Sequence, residues 1–152
     1  MITPREAIDS IIDKAPEILQ QDKHHAPMLF VFGEADNAIV LLEFTDADSK
    51  HASMLAAGKR VRFLYPYCVA LVSEAWISKT IPPKGKAVHD MADKEECLLV
   101  AAQNEEGETE SAMVPFSRVV GEVLLGETMY APHAEAYLLR LFWKGVGEGG
   151  DK

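Results

Sequence analysis

Basic residues are in short supply: fifteen Lys and Arg stand against 24 Asp and Glu, a net charge of -9 over 152 residues. Affinity for a phosphate backbone rests on cations that displace counterions, so this balance counts against a nucleic-acid partner. The one basic cluster, Lys59, Arg60 and Arg62, is outweighed by residues 93–110, where seven acids accompany a single Lys. Cysteines number only two, Cys68 and Cys97, at no metal-ligand spacing. They read as buried thiols in a reducing cytoplasm, with a bridge between them open only if their strands are neighbours. Long apolar runs are missing too. Nothing approaches the roughly 18 residues of a membrane span, and Met1–Glu6 lacks the apolar core of a secretory signal. The expectation is a cytoplasmic chain with no membrane contact. No strand–Gly-rich loop–helix unit, H-E-x-x-H, H-x-H or G-x-S-x-G occurs. These gaps remove the P-loop, dinucleotide, zincin and nucleophile-elbow readings, and no metal or cofactor is expected.

What remains is an ordinary globular composition, 48% hydrophobic, in a length that suits one domain. Thr3-Pro4-Arg5-Glu6 spells a helix start with a capping box, and Ile8, Ile11, Ile12, Ala15 and Leu19 share one helical face. Pro16 predicts a kink or break there. Met28–Phe32 and Ala38–Phe44 read as a hairpin, and Thr45-Asp46-Ala47-Asp48 begins a middle helix that Gly58 could end but whose apolar spacing carries on to about Phe63. Tyr67–Ser78 is the strongest strand, apolar on both faces at first and therefore central. Strands at Glu96–Gln103 and Glu110–Phe116 flank an acidic turn, and a short strand follows around Gly121. Pro132–Trp143 reads as a terminal helix. The organisation is one domain over residues 1–144, with residues 145–152 as a flexible Gly-rich tail. Hairpin links predominate, which predicts an α+β fold: a mainly antiparallel sheet of about five or six strands with an N-terminal, a middle and a short C-terminal helix.

Chemistry concentrates in two segments. In Ser73-Glu74-Ala75-Trp76, alternation puts Glu74 and Trp76 on the face shared by Cys68, Ala70 and Val72. A carboxylate continuing an apolar strand face must reach solvent or find a Lys or Arg. Glu74 is then a paired structural residue beside a core-rim Trp, or the base or ligand on the floor of a cleft. Lys94-Glu95-Glu96 opens the strand expected beside it and can approach the same end, where clustered carboxylates would raise a pKa or recruit a cation. His89-Asp90 sits on the intervening loop as a further ligand or proton-transfer pair, while His24-His25 reads as a solvated connection. The candidate ligand-binding residues are thus Glu74, Trp76, His89, Glu95 and Glu96.

Val72-Ser73-Glu74-Ala75-Trp76, a Pro-containing loop, then Lys94-Glu95-Glu96-Cys97-Leu98-Leu99-Val100 resembles a group of small bacterial and phage-encoded proteins. Those carry a Glu-Ala-Trp strand, a variable loop and an apolar strand led by a charged residue and Glu. The similarity covers the middle third of the chain. It implies no activity and transfers no site residues, and the approach to the second strand departs from it at His89–Lys94. Two functions follow from the residues themselves. The first is a non-enzymatic binding, assembly or regulatory module. Its two-faced strands would be covered by a partner or a second copy, with Phe30, Phe32, Leu138, Phe142 and Trp143 as candidates for a homodimer face. The alternative is a small, metal-assisted enzyme with a site near Glu74, His89 and Glu95 or Glu96.

Overall fold

The computed structural model describes residues 1–77, 83–85, 92, 94–132 and 137–149; His89 lies outside them. The chain opens with helix α1 (Pro4–Ile12). Thr3 accepts the Glu6 amide, and Glu6 returns the bond to the Thr3 amide, which satisfies two orphan donors at the helix start. The backbone bond holds the Glu6 carboxyl below its ordinary value. Pro16 then takes the first turn of a separate helix α2 (Ala15–Asp22), where a missing N–H costs nothing, so the expected kink is a break. Lys23 ends α2 in the left-handed region at φ 68°.

Strands β1 (Met28–Gly33) and β2 (Asn37–Leu41) form the hairpin, with β2 ending three residues earlier than expected. Helix α3 (Ala47–Val61) is capped by Asp46 and Ser49 and passes through Gly58 into a 3-10 turn at Arg62–Leu64. Strands β3 (Pro66–Ile77), β4 (Glu95–Asn104), β5 (Thr109–Val119), β6 (Glu122–Leu125) and β7 (Met129–Pro132) follow, and α4 (Tyr137–Gly149) closes the chain. The sheet runs β2-β1-β3-β4-β5-β6 with β7 also on β5, antiparallel throughout. The α+β expectation holds, with seven strands among the described residues where about five or six were expected. Pro132, expected to start the last helix, instead ends the edge strand β7, a position that needs no ladder donor.

Helices cover both faces of the sheet. On one, Ile8 and Leu19 of α1 and α2 pack on Cys68, Val72, Val100 and Val114. On the other, Met54 of α3 and Leu139 and Phe142 of α4 pack on Leu29, Val31, Val69 and Leu71. This corrects the expectation of an uncovered sheet. Phe142, a candidate for the dimer face, is fully buried, and Phe30, Phe32, Leu138 and Trp143 are half-buried. Of the residues expected as a tail, 150–152 lie outside the described residues, and Gly145 to Gly149 continue α4, where Gly145 serves close packing. A Cβ on Gly145 would lie 2.1 Å from the Leu55 carbonyl oxygen, and one on Gly58 would lie 2.0 Å from that of Phe142. The two glycines let the backbones of α3 and α4 touch.

Cys68 faces Asn104 and Cys97 faces Ala75, so the thiols lie seven positions apart along β3, about 23 Å at the rise of a strand. Both are free and buried, and burial pushes each from its ordinary 9.0 up to about 11. Between those values the folded chain keeps protons that the unfolded chain has released. Stability is therefore expected to fall as pH rises from 9.0 to about 11. Urea titrations across that window check this, and a midpoint that does not move contradicts it. At the acidic turn, the Glu105 and Glu106 side chains are exposed. In the dilute, monomeric chain, replacing both with Lys is expected to change stability by less than about 0.5 kcal/mol; a loss several times larger would show that the turn is docked against something.

Candidate functional site

Alternation along β3 carries the α1/α2 face from Cys68, Ala70 and Val72 on to Glu74 and Trp76, past the end of α2. The register sets Trp76 opposite Glu96 and Glu96 opposite Phe116, and two residues beyond Phe116 on the same face of β5 is Arg118. Its guanidinium reaches across β4. One terminal nitrogen donates to Glu74 Oε1 at 2.8 Å, Nε donates to Glu96 Oε2 at 3.2 Å, and the other terminal nitrogen donates to the Lys23 carbonyl. The ring of Phe116 lies 5.1 Å beneath it. The second Glu74 oxygen accepts the His25 amide at 2.7 Å, with His24 Nδ1 at 3.5 Å. The cation recruited to the carboxylates is therefore Arg118.

These bonds fasten the exit of α2 to three strands. Lys23 adds an ion pair to Glu122 at 3.4 Å, and Gln20 donates to the Val123 carbonyl at 3.2 Å. A guanidinium on the last carbonyls of a helix also complements its negative end. The cluster is about one-quarter to one-third exposed, at 24% for Glu74 and Glu96 and 31% for Arg118. Charge-assisted bonds in that setting exceed the worth of an exposed pair.

Trp76 is half-exposed, with Lys94 Nζ 4.9 Å over its ring, a cation–π contact. The expected approach of the β4 entry to Trp76 is therefore present. Glu95 pairs with Ile77 instead, and alternation turns its exposed side chain to the opposite face from Glu74 and Glu96. Trp76, Lys94 and Glu96 line a groove of about 500 Å³ that runs past Phe116 to Leu125, and Glu95 also borders it. His25 departs from the solvated reading: it is buried, with Nδ1 2.8 Å from the Ala26 carbonyl and its ring near Phe30 and Phe32, while His24 is exposed. Among the described residues no group of three His, Cys, Asp or Glu side chains is placed to hold a metal. Arg118 escaped the sequence reading because β5 was ended at Phe116. The signal was the continuing alternation of Ala112, Val114, Phe116 and Arg118.

Together these features define a small α+β sheet-and-helix fold in which a charge cluster ties a helix to the sheet. No helix among the described residues is long and apolar enough to cross a membrane. The chain belongs to the family described as bacteriophage lambda protein ea47, which matches residues 3–144. That supports the phage side of the resemblance noted from the sequence, and the description names no activity. Comparison with curated proteins and with solved structures returns no match.

Proposed function

We propose that this chain is a non-enzymatic assembly module, self-associating as a homodimer, that acts through its surfaces. The observation that carries this reading is the commitment of Glu74: one oxygen holds Arg118 and the other holds the His25 amide. A carboxylate so occupied orders the fold, whereas a general base or ligand needs a free lone pair directed at substrate or metal. The metal-assisted alternative at Glu74, His89 and Glu95 or Glu96 requires Glu74 to release Arg118 and turns Glu95 to the wrong face of the sheet. Large apolar side chains meanwhile stand in solvent at several places, including Ile39 and Leu41 on the edge strand β2 and Phe63 and Tyr65 after α3. Exposed apolar and aromatic groups of this kind mark interaction surfaces. Light scattering at micromolar concentration is expected to give twice the mass of one chain, and a single-chain mass throughout would refute the self-association.

A further inference from the structure

We infer that the second copy docks on the groove at the end of α3, exchanging it for the acidic β4–β5 turn about a twofold axis. This rests on the self-association proposed above and says which surface carries it. The groove, about 790 Å³, is walled by Lys59, Arg60, Arg62, Phe63 and Tyr65. Phe63 and Tyr65 are 68% and 67% exposed. Tyr65 is unusual in a second way, because its φ of 54° lies in the left-handed region that favours Gly or Asn. Three backbone bonds impose that conformation: Tyr65 N–H to the Arg62 carbonyl, Glu34 N–H to the Tyr65 carbonyl and Ala35 N–H to the Leu64 carbonyl. A tyrosine ring in this position strains the backbone and buries little within its own chain. Its contribution lies outside the chain.

The complementary surface is next to it. Glu105 lines the same groove, its amide bonded to the Tyr67 carbonyl, and the exposed Glu106 and Glu108 follow it around the turn. Basic-aromatic and acidic patches side by side are self-complementary under a twofold rotation, the arrangement an isologous interface requires. Aromatic and Arg side chains are the types that anchor such interfaces, and the charges around them set register and encounter rate. Four rings, each about two-thirds exposed, would supply roughly 400–700 Å² of the roughly 1,600 Å² in a standard interface. A single-stranded nucleic acid also uses cations and aromatic rings. It fits less well here, because the chain carries -9.

The test uses charge exchange. R60E/R62E and E105K/E106K alter exposed side chains, and each is expected to be monomeric at concentrations where the parent is a dimer. An equimolar mixture of the two recovers the dimer mass. The fourfold variant, which carries the parent's net charge of -9, also recovers it. The parent dissociates in about 1 M salt, where the screening length falls to about 3 Å. Tyr65→Asn, which suits the left-handed backbone, keeps the fold and weakens the dimer roughly tenfold or more. If the parent is dimeric and the charge variants dimerise equally well, the interface lies elsewhere, with the β2 edge next in line, and this assignment fails while self-association stands. If the parent is monomeric at every concentration, or is monomeric and captures a single-stranded oligonucleotide through Arg60 and Arg62, both fail.

Discussion

Gly58→Ala is expected to destabilise the chain by about 1–3 kcal/mol, opposite to the direction that helix propensity dictates. Alanine in a helix interior is favoured over glycine by about 1 kcal/mol. At Gly58 the added Cβ would meet the Phe142 carbonyl oxygen at 2.0 Å and the Val146 nitrogen at 2.8 Å. Both are backbone atoms of α4 and cannot rotate aside, so the helices must separate, and Met54, Leu139 and Phe142 lose contact. Gly147→Ala, in the same helix α4 but with nothing within 4 Å of its Cβ, supplies the control. It is expected to be neutral or stabilising by up to about 1 kcal/mol. Urea denaturation of the two variants reads the difference, and a stabilised Gly58→Ala would mean that α3 and α4 do not pack this closely.

The second large effect is expected at Arg118. Arg118→Met keeps much of the apolar stem over Phe116 but removes the cation shared by Glu74, Glu96 and the Lys23 carbonyl. Glu74 and Glu96 then lose the cation they share, and Glu74 keeps only the His25 amide and His24 on its other oxygen. The expected loss is about 1.5–3 kcal/mol, the scale of a charge-assisted bond. A more exposed pair gives much less. Arg5 and Asp9 are 3.1 Å apart and about half-exposed on α1, with Tyr130 beneath the guanidinium, so Arg5→Met is expected to move the midpoint far less than Arg118→Met. Denaturant midpoints at fixed pH measure both variants, and equal losses would remove the distinction between a clasp and a surface pair.

Local chemistry made much of this molecule legible. The Thr3–Glu6 box, the cap at Asp46 and the central strand of Cys68 to Ile77 each depend on neighbours within a few residues. That Glu74 must reach solvent or find a cation was equally plain, since the strand carries it along a buried face. What stayed hidden depends on distant partners. Arg118 lies 44 residues from Glu74 and meets it only through the registers of β3 on β4 and β4 on β5. Gly145 to Gly149 resemble a loose tail because glycine weakens an isolated helix, and only the contact with α3 reverses that meaning. Phe142 was assigned to the surface for the same reason: the helix that covers it could not be paired with α4 from the sequence alone. His25 reads as polar connection chemistry, yet the bond from its amide to Glu74 draws its ring into a buried site.

The proposed function requires Glu74 to be a fastening for α2 and not a reactive group. A denaturation cycle over the parent, Glu74→Gln, Arg118→Met and the double variant tests this most directly, with each also melted in the presence of Zn²⁺, Mn²⁺ or Mg²⁺. A fastening predicts that Glu74→Gln loses about 1.5–3 kcal/mol, that the two substitutions are non-additive by at least about 0.5 kcal/mol, and that metal leaves the parent's melting temperature where it was. A Glu74→Gln as stable as the parent or more so, together with a metal-dependent rise in the parent's melting temperature, would show a carboxylate held for function and contradict the account.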